Sequence, residues 1–81
     1  MIERRAMKGR LAELEADEKR LTRALRRNCE QIGAMLNPLL HDLADMPVPD
    51  AAALMDEAVL QQAELLRARG QIDELKAALY G

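Results

Sequence analysis

Apolar residues recur along the first half of the chain at alternating spacings of three and four. They occupy the a and d positions of a heptad repeat, which lie on one face of an α-helix. A stripe this long cannot be buried on one helix, so it predicts a second helix packed against it. The apolar members are Met7, Leu11, Leu14, Leu21, Leu25, Ile32, Met35 and Leu39, and Glu18 and Asn28 interrupt them.

The last third of the chain repeats this spacing with smaller side chains, which allow two helices to approach closely. Its main apolar members are Leu54, Ala58, Leu65, Ala68, Ile72, Leu75 and Leu79, with Ala51 and Gln61 at equivalent positions. We call both series together the heptad seam. A neighbouring stripe widens the apolar face near the start of this second helix, and it consists of Met55, Val59, Gln62 and Leu66.

Three prolines lie between the two patterns and divide the chain. Asn37-Pro38 predicts a kink or a brief break, with Asn37 as the N-cap of a short helix. Two further prolines predict a turn, after which Asp50 is expected to cap the second helix. The predicted elements are a helix over 3–36 that starts at Ile2 or Glu3, a short helix over 38–44, a turn over 45–50 and a helix over 51–79.

The sequence therefore predicts a single all-α domain over 1–81, an antiparallel two-helix hairpin of coiled-coil type with a long, kinked first helix. Aromatic residues make up only 1% of the chain, so burial must come from aliphatic helix–helix contacts. The first arm appears longer than the second, so Met7 and Leu11 are expected to overhang without a partner. These surfaces predict a homo-oligomer, with a dimeric helical bundle favoured. The alternative is a monomer whose segment 38–44 folds over the wide apolar face.

Two polar residues interrupt the heptad seam of the first helix. Glu18 is expected at an exposed level or in an intermolecular ion pair, because a charged side chain is rarely buried alone. Two interpretations of Asn28 stay open. It specifies register or oligomeric state as a buried polar residue, or it marks a level where the seam is loosely packed.

The net charge is −2, but the first thirty residues are basic and the remainder is acidic. Five cations occupy outward b, c and f positions of the first helix, and we call them the basic stripe: Lys19, Arg20, Arg23, Arg26 and Arg27. Such a stripe is an alternative site for a nucleic-acid backbone. The other interpretations are a solvated coiled-coil exterior or a contact surface for the acidic half of a neighbouring chain. No aromatic residue is interleaved to stack on bases.

Residue types that support catalysis are scarce. The chain has no serine, and Cys29 and His41 are single residues of their kinds, twelve positions apart. These features predict no enzyme activity, no cofactor and no metal site. No signal peptide or membrane span is indicated, so the expected location is the cytoplasm and no membrane partner is expected.

The expected function is non-enzymatic: a protein–protein interaction or structural module that associates with itself through the heptad seam. Two alternatives stay open. One is a nucleic-acid-binding accessory protein that uses the basic stripe, and the other is an adaptor subunit that binds a helix of another protein.

Overall fold

In the computed structural model, which describes residues 3–81, two long helices pack antiparallel as an extended hairpin. Helix α1 spans Arg4–Met35 and helix α2 spans Val48–Tyr80, and the described residues contain no strand. The hairpin measures 62 × 17 × 16 Å. The predicted all-α hairpin is confirmed, while the alternative helix start at Ile2 lies outside the described residues.

The connection between the helices differs from the prediction. The chain leaves the helix after Met35, so Asn37-Pro38 is a break and not a kink, and residues 38–44 form turns instead of a short helix. Asn37 explains this difference, because its carbonyl accepts from the Leu40 amide at 3.1 Å and its side chain accepts from the Leu39 amide at 2.9 Å. These bonds close a tight turn in which the asparagine side chain replaces a helical partner.

Helix α2 begins three residues earlier than predicted, and Asp50 is not its N-cap. Pro47 occupies the N-cap position and Pro49 lies in the first turn. N–H groups in the first turn have no acceptor within the helix, so a proline there removes no helical hydrogen bond. Asp50 still places a negative charge in that first turn.

The two arms have matching lengths, so the expected overhang of the first helix is wrong. The Arg4 guanidinium donates to the Leu79 carbonyl at 3.0 Å, which brings the end of α2 back to the start of α1. Met7 packs against a core cluster of Leu11, Leu14, Ile72 and Leu79, with Leu75 beside it. The short predicted helix caused the error, because it assigned to the first arm residues that belong to the connection.

The core is concentrated in the half of the hairpin away from the turn. A second cluster, Leu21, Leu65 and Ala68, with Leu25 against it, continues the first. Towards the turn the buried apolar side chain is Ala51, at 1% exposure, while Ile32, Leu54 and Ala58 are only half-buried. No large side chain among the described residues is fully buried, because each helix is covered by a single neighbour.

We expect Leu65→Ala to destabilise the hairpin by about 2–5 kcal/mol, because it removes buried methyl groups and leaves a cavity. The measurement is urea unfolding followed by circular dichroism at 222 nm, a wavelength that reports helix. Leu60→Ala is the matched control, because Leu60 lies on the same helix at 67% exposure against 7% for Leu65. Equal losses in the two variants would contradict the assignment of Leu65 to the core.

Candidate interaction surface

The heptad seam is largely occupied within a single chain. The predicted members that are buried between α1 and α2 are Leu11, Leu14, Leu21, Leu65, Ala68, Ile72 and Leu79. The half-buried members are Met7, Leu25, Ile32, Met35, Leu54, Ala58 and Leu75. Leu39 is an exception at 90% exposure, because it lies in the connection and not on a helix. Most of the seam is therefore the contact between the two arms of the hairpin.

Asn28 is the one polar residue buried in the seam, at 9% exposure. Its side-chain amide donates to Gln61 Oε1 at 2.9 Å and to Glu57 Oε2 at 3.2 Å, both on α2. A buried amide that has lost water needs such partners, and these two are available at only one alignment of the helices. These contacts favour the interpretation of Asn28 as a register-specifying residue over that of a loosely packed level. Sequence reasoning did not identify Glu57 as a partner, since it lies beside the seam.

Glu18 lies at a partly exposed level, and its carboxylate is 3.8 Å from Nε of Arg69 on the other helix. The long distance and the exposure of both groups make this ion pair a minor contributor to stability. It nevertheless agrees with the alignment in which Asn28 contacts Glu57 and Gln61.

Apolar side chains cluster on the surface at the turn end of the hairpin. We call this set the apolar patch, and its exposed members are Leu36, Leu39, Leu40, Leu43, Val48, Met55 and Val59. Leu66 of the predicted second stripe is also exposed, but it lies near the middle of α2. The predicted second stripe thus stays exposed, and segment 38–44 does not cover it. Single exposed apolar residues are common on proteins, but a concentration at one end of a small domain marks a surface suited to binding.

A groove of about 420 Å³ runs along the hairpin at this end. Its α1 wall includes Cys29 and Gly33, and its α2 wall includes Met55, Val59 and Gln62. The floor consists of the seam residues Leu25, Ile32 and Ala58. Ala58 in the seam is too small to fill the space between the helices, and Gly33 adds no side chain to the α1 wall, so the groove follows from small residues at this end.

The basic stripe lies on the exposed surface of α1. Among the described residues Arg20 has an ion-pair partner, Asp17 at 3.7 Å, while Lys19, Arg23, Arg26 and Arg27 have none within 4.0 Å. The stripe therefore presents several cations to solvent over less than three helical turns.

Cys29 and His41 lie in different parts of the hairpin, Cys29 on α1 and His41 in the connection. Cys29 is a free, exposed thiol at the groove. His41 Nε2 lies 2.9 Å from the Ala34 carbonyl, to which it can only donate, so the ring satisfies a carbonyl near the end of α1. Among residues 3–81 no group of three or more His, Cys, Asp or Glu is placed to hold a metal ion.

Comparisons of the chain with protein-family models, curated proteins and solved structures find no match. Within the described residues, neither helix combines the length and apolar character needed to span a bilayer.

We expect Asn28→Asp to destabilise the hairpin by about 1–3 kcal/mol, because two acceptor carboxylates then face each other where the amide had donated. Adding Glu57→Gln gives the new carboxylate an amide donor and should restore most of the lost stability. A double-mutant cycle of urea unfolding measures this coupling. If the two changes were simply additive, the contact between Asn28 and Glu57 would have no role in the register.

Proposed function

We propose that this protein is a non-enzymatic interaction module that associates with itself through the apolar patch and its groove. The heptad seam is already paired within one chain, so a second copy would bind beside it. The observation that supports the proposal most is the concentration of exposed aliphatic side chains at the end of the hairpin where the core is thinnest.

Energetics favour association over a solitary hairpin. Two helices can bury only the stripe that each turns towards the other, and a chain of 81 residues builds a small core in this way. Covering the groove would remove Met55 and Val59 from water at roughly 25 cal/mol per Å² of apolar surface. It would also complete the burial of Ile32 and Ala58, which the hairpin leaves half-covered.

The test is the mass of the purified chain by sedimentation equilibrium across a range of concentrations. We expect a defined oligomer, most simply a dimer, for the natural sequence, whose chain mass is 9.1 kDa. Val59→Glu should shift it to the monomer, because a buried, unpaired carboxylate is costly in an apolar contact.

Leu60→Glu is the matched control for that experiment, since Leu60 is 67% exposed against 65% for Val59 and does not line the groove. It should leave the mass unchanged. A natural chain that stayed monomeric at every concentration would refute self-association and would favour the adaptor alternative, in which a helix of another protein occupies the groove.

Nucleic-acid binding is the second candidate, and the exposed, largely unpaired cations of the basic stripe favour it. Such binding would involve phosphates, so its affinity must fall steeply as salt concentration rises. The acidic net charge and the lack of interleaved aromatic residues count against it.

Fluorescence anisotropy of a labelled oligonucleotide at low and high salt tests this candidate. Arg23→Glu with Arg27→Glu should abolish binding, because the pair reverses the charge at the centre of the stripe. Arg67→Glu with Lys76→Glu on α2 makes the same change in net charge away from it and should retain binding. Absence of binding at low salt would eliminate the candidate.

A further inference from the structure

We infer that the groove, together with three cations beside it, binds an acidic amphipathic helix of another protein. This inference goes beyond self-association, because it adds a second occupant that would compete with a copy of the chain for the same groove.

The groove has the position and the lining that a helix requires. It lies between two antiparallel helices and extends from Leu25 to Gly33 along α1, which is roughly 12 Å from the helical rise per residue. Among the described residues that line it, none carries a charged side chain. A channel between two neighbouring helices accepts a third helix whose apolar side chains fill it, which is a common mode of peptide recognition.

Cations continue the groove on the side away from the turn. Arg26 lies three residues before Cys29, so helical periodicity places it on the side of α1 that forms the groove wall. Lys19 lies seven residues before Arg26 and shares that side. On α2, Arg69 lies seven residues after Gln62, which belongs to the other wall. All three cations are exposed, and we call Lys19, Arg26 and Arg69 the groove-side cations.

A contact between the helices shows that the groove-side cations lie at nearby levels. Arg69 Nε is 3.8 Å from the Glu18 carboxylate, so Lys19, the next residue on α1, lies at the level of Arg69. Lys19 and Arg26 have no carboxylate within 4.0 Å among the described residues. Three cations and one carboxylate, Glu18, leave a net charge of +2 directly beyond an apolar groove.

The cationic stretch is short, and its length limits the contact. Glu15 and Asp73 follow on the same side, four residues from Lys19 and from Arg69 respectively, so an acidic partner would meet like charges beyond this level. From Gly33 to Lys19 a helix covers roughly 21 Å, or about four turns. The partner is therefore a helix of this length that is apolar over the groove and acidic over the groove-side cations.

The two parts of this surface contribute differently to recognition. Burial of aliphatic side chains against Met55 and Val59 supplies affinity, because the hydrophobic contribution scales with the apolar area removed from water. The groove-side cations supply selectivity, because a basic helix would bring like charges together at the same place. An acidic amphipathic helix is the partner that satisfies both parts.

Two synthetic peptides test the inference on the full chain. Both are about twenty residues long, because shorter isolated helices are marginal in water, and both have Leu and Ala at the a and d positions. One peptide has Glu at the flanking e and g positions, and the other has Lys there. We expect fluorescence anisotropy at low salt to show that the acidic peptide binds at least about tenfold more tightly. Equal affinities, or no binding of the acidic peptide, would overturn the inference.

Charge reversal on the two flanks of α1 locates the binding site. Lys19→Glu with Arg26→Glu should weaken binding of the acidic peptide by about tenfold or more, because it replaces two groove-side cations with carboxylates. Arg20→Glu with Arg27→Glu is the matched control, since it has the same spacing and the same charge change on the flank away from the groove. The control should keep the affinity within about twofold. Equal losses in the two variants would show that net charge alone attracts the peptide, and the inference would fail.

Val59→Glu distinguishes a helix in the groove from a polyanion on the cations. It should abolish binding of the acidic peptide, whereas Leu60→Glu adds the same charge outside the groove and should retain binding. Retention in both variants would indicate a polyanion site that does not involve the groove, which contradicts the inference.

Sedimentation of the chain with excess acidic peptide separates this inference from self-association. If the natural chain is oligomeric, the peptide should dissociate it, because both occupants need the groove. A chain that is monomeric alone and binds the acidic peptide refutes self-association and supports the inference. An oligomer that keeps its mass in excess peptide, with no change in anisotropy, refutes the inference while self-association stands.

Discussion

A helix in a two-helix hairpin can bury only the stripe that faces its single neighbour, and this constraint governs the whole molecule. Where that stripe holds Leu and Ile on both arms, as around Leu14 and Ile72, the chain forms a compact core. Where it holds Ala58 opposite Ile32, the same geometry leaves apolar atoms in contact with water. Stability and exposed binding surface are thus divided between the two ends of one hairpin.

The polar contact at Asn28 lies between these two ends. It lies on the turn side of the cluster around Leu21 and Leu65, and its amide has partners at one alignment only. A register shift would leave that amide unpaired and would displace the core clusters from each other. The level of the groove along the hairpin therefore depends on a buried amide as well as on packing.

The charge pattern acts at longer range than the apolar contacts. Ion pairs such as Glu18 with Arg69 contribute little to the hairpin, because both groups remain partly in water. Charged groups on a protein surface generally affect the choice and orientation of a partner more than the stability of the fold.

The sequence alone determined the helical fold, the pairing of two arms and the identity of most core residues. The reason is that heptad spacing places the a and d side chains on one face of each helix. It also identified the apolar stripe of Met55 and Val59 as surplus to one partner helix. Only the tertiary structure shows where the arms begin and end. At Asn37 the chain can continue as a helix or form a turn capped by the asparagine side chain, and heptad periodicity does not distinguish these two conformations. The shorter first arm removes the expected overhang and leaves Leu39 exposed in the connection. In this alignment Asn28 pairs with Glu57, and the apolar groove lies beside the seam. Periodicity determines on which face of its helix a residue lies, whereas the level of that residue along the hairpin depends on the length of the connection.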